Sequence, residues 1–108
     1  MKSKTRVSAV MDKRYVISKL REHESELRAA GVVHLRLFGS VARGDADASS
    51  NVDLMAEFDS KKKLTPLDIA GLEGRLSELL QVKVNLTPAD TMKQRLRVIA
   101  DNEAVLAF

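Results

Sequence analysis

Between residues 11 and 31 the apolar positions fall at helical spacing: Val16, Leu20 and Leu27 form a stripe, Asp12 precedes it as an N-cap and Gly31 follows it as a stop. His23 lies on that stripe and is expected to be a partly buried histidine beside the core rather than a ligand. The period then changes to two. In "VVHLRLF" Val33, Leu35 and Leu37 share one face, and His34, Arg36 and Phe38 the other. In "NVDLMAEF" Val52, Leu54, Ala56 and Phe58 alternate with Asn51, Asp53, Met55 and Glu57. Each stretch reads as a strand whose apolar face seeks the core, which turns Asn51, Asp53 and Glu57 outward into a cleft or solvent.

A second helix is signalled at Thr65, where Asp68 completes a capping-box-like pair around Pro66 at the first helical position. Ile69, Leu72, Leu76 and Leu79 carry its stripe. Gly71 and Gly74 lie inside it at about 1 kcal/mol each relative to Ala, a cost that close packing on the sheet would offset. "VKVNL" reads as a third strand, with Val82, Val84 and Leu86 inward and Lys83 and Asn85 outward. Thr87, Pro88 and Asp90 are expected to cap a final helix lined by Met92, Leu96 and Ile99, and "EAVLAF" fits either a docked strand or a tail. The order helix, strand, strand, helix, strand, helix implies an α/β (α+β) fold, a small mixed β-sheet flanked by helices. One domain is expected over residues 11–108, after a flexible lead-in over 1–10.

Composition narrows the function classes. With 44% hydrophobic and 31% charged residues, the 108-residue chain has the makeup of a globular domain. It has no Cys and two His, which argues against a disulfide framework or a zinc site. No apolar run approaches a membrane span and the basic N-terminus lacks a signal-type apolar segment, so a cytoplasmic location without membrane association is expected. The net charge of +3 suits a polyphosphate or an acidic partner. Its four aromatics are not interleaved with a basic cluster, which argues against direct nucleic-acid binding.

The candidate chemistry sits in "GSVARGDADASSNVDL". Gly39 and Ser40 end a strand and precede a short helix, so freed backbone N–H groups and the Ser40 hydroxyl could cradle phosphate oxygens. A Gly-Ser turn alone is an ordinary turn. The spacing to Asn51-Val52-Asp53, ten residues on, makes the stretch resemble the G-S-x10-D-x-D signature of the nucleotidyltransferase superfamily, in its minimal nucleotidyltransferase (MNT) branch. "HLRLFGSVARGDA", "VDLMAEF", "DIAGLEGRLSELL", "VKVNLTP" and "RLRVIADNEAVLAF" extend the likeness over residues 13–108.

That resemblance implies the nucleotidyltransferase (polymerase beta-like) fold. It also implies a place as the antitoxin that neutralises a HEPN-domain ribonuclease toxin, by magnesium-dependent adenylyl transfer from ATP. In the family three acids hold Mg2+, and hard carboxylate oxygens suit that ion. Carried onto this chain, the nucleotide phosphate turn is Gly39 and Ser40, and Arg43 either meets phosphate or braces the loop through Asp45 or Asp47. The metal and catalytic positions are Asn51, Asp53 and Asn85. Two of those three family acids are therefore amides here. At an effective dielectric near 20, one carboxylate about 4 Å from a divalent ion supplies roughly 8 kcal/mol of Coulomb attraction before desolvation. An amide oxygen ligates weakly and cannot act as a base. Glu57 lies roughly 13 Å along the strand from Asp53 and cannot replace a lost ligand. Two functions follow from the resemblance: a weak adenylyltransferase, or an inactive binding module that masks its partner.

Overall fold

The computed structural model describes residues 12–44, 51–91 and 94–108, without the side chains of 95, 96 and 99–101. The lead-in expected over 1–10, the loop acids Asp45 and Asp47, Met92, and the Leu96 and Ile99 side chains lie outside the described residues.

The first helical stretch is two helices, α1 (Lys13–Glu22) and α2 (Glu24–Ala29), rather than one. The break is at His23, whose backbone (φ −109°, ψ 17°) leaves the helical region and closes the first helix with its N–H on Leu20 and Arg21 carbonyls. Asp12 caps α1, its Oδ1 accepting from the Arg14 N–H at 2.8 Å. Val16, Leu20 and Leu27 are fully buried despite the break, while His23 is partly buried and 3.4 Å from Glu26. Strand β1 (Val32–Phe38) leads into the short helix α3 (Gly39–Arg43), and β2 (Val52–Phe58) runs antiparallel to β1. Helix α4 (Pro66–Leu80) opens on the expected capping box: Asp68 N–H donates to Thr65 Oγ1 at 3.2 Å, and Thr65 N–H to Asp68 Oδ2 at 2.9 Å. A Cβ at Gly71 or Gly74 would meet nothing within 4 Å, so these glycines face open space and do not serve packing on the sheet.

Gln81 ends α4 in the left-handed region (φ 56°), which delays the next strand. Strand β3 therefore covers Val84–Pro88, two residues later than the alternation predicts, and Val82 lies before it. Thr87 and Pro88 belong to β3 and Ala89–Thr91 forms a 3-10 turn, so the expected cap does not open the last helix, α5 (Gln94–Glu103). The C-terminal segment is a docked strand: β4 (Val105–Leu106) pairs antiparallel with β1, and the Leu35 carbonyl accepts from the Ala107 N–H at 2.8 Å.

The sheet is mixed, with order β3-β2-β1-β4 and a parallel β2–β3 pair. Leu35, Leu37, Val52, Leu54, Ala56 and Val84 are buried in one core cluster with Val16, Leu20, Leu27, Leu76 and Leu80 of the helices. Phe108 joins that cluster and lies under the Arg28 guanidinium, 5.0 Å from the ring centre. The edge strand β3 is protected from α4: Ser77 Oγ accepts from Val84 N–H at 3.1 Å and a Glu73 carboxylate oxygen from Leu86 N–H at 2.7 Å. A helix spacing of four thus serves a strand spacing of two and satisfies donors that an open edge would expose.

Candidate nucleotide site

The face of the sheet away from the main core carries the polar positions that the alternation turned outward. Met55 is the exception: it is fully buried with Ala89 under Phe38, because the 3-10 turn closes over the middle of that face. Glu57, beyond Met55, is held by Arg36 of β1.

At the other end of β2, Asp53 stands between Phe38 of β1 and Asn85 of β3 in the ladder. Parallel pairing of β2 and β3 places Asp53 and Asn85 abreast, and Asn85 Nδ2 donates to Asp53 Oδ1 at 3.1 Å. Gly39 begins the turn after β1 with φ +79°, and a Cβ there would lie 2.4 Å from Asp53 Oδ2. Left-handed backbone and close approach both demand glycine at this position. Ser40 follows at intermediate exposure, and its carbonyl accepts from the Gly44 N–H that closes α3. Asn51 is exposed just before β2.

Sequence reasoning missed Glu103. Its Oε1 accepts from the Gly39 N–H at 3.3 Å and its Oε2 from Arg43 Nη1 at 2.9 Å. Arg43 is thus paired with a carboxylate 60 residues away, at the end of α5, a partner that no local spacing signals. Gly39, Asp53 and Asn85 come together directly, and Glu103 ties Arg43 to the same turn. Among the described residues, no group of three or more His, Asp or Glu side chains gathers as a metal-binding set.

A glycine turn between two strands, beside a strand-borne acid, on a four-stranded mixed sheet with helices, is the architecture of a nucleotidyltransferase fold. The family model "Nucleotidyltransferase domain" matches residues 17–107, and the chain belongs to that family, in its minimal branch. The chain is 33% identical over 87 residues to the protein adenylyltransferase MntA of Thermococcus cleftensis, covering 80% of this chain and 86% of that one. A solved structure assigned as a minimal nucleotidyltransferase superposes with a TM-score of 0.75 at 35% identity, covering 88% of this chain and 95% of that one. A structure of the tri-AMPylated Shewanella oneidensis HEPN toxin in complex with MNT antitoxin contains a chain of the same fold, with TM-score 0.65, 15% identity, and coverage of 86% and 71%.

Proposed function

We propose that this protein is an antitoxin for a HEPN-type ribonuclease toxin and that it acts by masking its partner rather than by modifying it. Family membership and the fold shared with an MNT antitoxin support the partner. The observation that carries masking is the hydrogen bond from Asn85 Nδ2 to Asp53 Oδ1. The family's chemistry implies magnesium at this point, and the residues present do not fit it. The only carboxylate of the three positions is Asp53, and one of its oxygens already faces an amide N–H. Two carboxylates abreast would repel until a cation joined them, whereas an amide and a carboxylate satisfy each other without one. The pair is a neutral-for-charge replacement that keeps the strand ends together. Gly39, Ser40 and Arg43 remain as a nucleotide phosphate turn, so ATP is a ligand of the protein rather than its substrate.

A second reading, slow magnesium-dependent adenylyl transfer from ATP to the partner, is favoured by the 33% identity to a protein adenylyltransferase. Incubation with a HEPN-type partner, labelled ATP and magnesium separates the two, with the double variant Asn51→Asp, Asn85→Asp alongside. Masking predicts suppressed ribonuclease activity and an unlabelled partner for the natural chain, and a labelled partner for the variant. Label transfer by the natural chain at the variant's rate would overturn it.

A further inference from the structure

We infer that the Glu103 carboxylate is an internal occupant of the phosphate turn, one that an incoming nucleotide must displace. The inference rests on the reading of Gly39, Ser40 and Arg43 as a phosphate site and concerns how that site is regulated.

A phosphate oxygen bound at this turn would take the backbone N–H of Gly39 and the guanidinium of Arg43. Glu103 already takes both, one oxygen on each donor, at 3.3 Å and 2.9 Å. The Gly39 half of this contact is partly buried and the Arg43 half is exposed. The Glu103 side chain is 21% exposed, and Asp53 lies close against Gly39 of the same turn. Glu103 is also the last residue of α5, two before β4, and β4 is paired with β1, the strand that ends at Phe38, next to Gly39. The strand pairing holds the carboxylate in range at high effective concentration, so a free anion competes at a disadvantage. A carboxylate with one oxygen on a main-chain N–H and the other on an arginine mimics a phosphate in charge and in its acceptor pair. The turn is thereby kept formed and electrically satisfied when no nucleotide is bound. Nucleotide binding must swing the Glu103 side chain out and so is read directly at the junction of α5 and β4.

Glu103→Gln keeps the size of the side chain and removes its charge. The test is the affinity for ATP, measured by calorimetry in EDTA, of the natural chain and of E103Q, with thermal unfolding and binding to the HEPN-type partner measured on the same samples. Displacement predicts that E103Q binds ATP about ten-fold more tightly. A Glu103 that merely braces the turn predicts equal or weaker binding, and that result overturns the inference, as does absence of ATP binding to both proteins. Loss of partner binding by the natural chain would instead strike the antitoxin reading alone. Should E103Q fail to fold, the natural chain still decides the matter: saturation with ATP must move the side-chain carboxyl 13C resonance of Glu103 and the Gly39 amide together. An unmoved Glu103 carboxyl in the ATP-bound protein contradicts displacement.

Discussion

The two faces of the sheet hold together by different means. Toward α1, α2 and α4 the strands β1, β2 and β3 present chiefly Val, Leu and Ala, buried almost completely in one cluster, and β4 adds the partly buried Val105. Toward the candidate site, around the small apolar cluster of Met55, Ala89 and Phe38, the strands present Arg36, Asp53, Glu57 and Asn85, and these pair with one another: Arg36 with Glu57, Asn85 with Asp53. The first face depends on area removed from water, is tolerant of exact partner, and repeats along each strand. The second depends on complementarity between single atoms, so one exchange of oxygen for nitrogen changes what the site can hold. On the proposed reading, amides at positions 51 and 85 leave the fold intact and withhold the charge that a metal site needs.

The largest effect should come from the core face. Leu54→Ala removes a fully buried side chain and is expected to cost about 3 kcal/mol in urea unfolding, without altering the ligand selectivity of whatever protein remains folded. Gly39→Ala puts a Cβ against Asp53 and forces alanine into the left-handed region. It should cost about 2 kcal/mol and, unlike the core variant, abolish ATP binding in the folded fraction. A loss of stability without loss of binding would separate the turn from the ligand site. Asn85→Asp replaces a donor with a second carboxylate beside Asp53 and should cost about 1 kcal/mol at neutral pH. Added magnesium should restore that loss in thermal unfolding, and an unchanged midpoint would mean that the two side chains do not share a cation.

The smallest effect concerns neither face. Glu26 of α2 and Arg75 of α4 form a two-bond ion pair at 2.6 Å and 3.1 Å, and the guanidinium holds the Glu26 carboxyl below its ordinary range. A folded value below the unfolded one gives stability that is present above the ordinary carboxylate range and lost as pH falls through the lowered value. Glu26→Gln should therefore lower stability slightly near neutrality, with the difference closing as pH falls through the lowered value, which flattens the acid limb of the profile. A difference between the two proteins that grows toward acid pH would have the wrong sign.

Most of the fold was legible because periodicity reports burial directly. Leu35, Leu37, Leu54 and Leu76 are buried where their spacing puts them, and the Thr65–Asp68 box starts α4 at its expected residue. The misses arise where a local signal met a backbone constraint. Left-handed Gln81 shifted β3 toward its C-terminal end, and non-helical His23 divided the first helix. Met55 lies on the face that alternation gives it, but its burial was not legible, because alternation cannot say whether something covers a face; Ala89 does, from 34 positions away in the chain. The site was half legible. Gly39 and Asp53 came from motif spacing and Asn85 from the family resemblance, and the three do meet, whereas Glu103 reaches the turn only through the pairing of β4 with β1. "EAVLAF" carried no pattern that distinguished a strand from a tail.

The central claim is that an amide now does what a metal ion does between carboxylates, and its most direct test is the magnesium dependence of ATP affinity by calorimetry. The natural chain should bind ATP with a constant that differs by less than roughly three-fold between EDTA and excess magnesium, while Asn51→Asp, Asn85→Asp gains more than roughly ten-fold. A natural chain that gains as much from magnesium as the double variant would contradict the account.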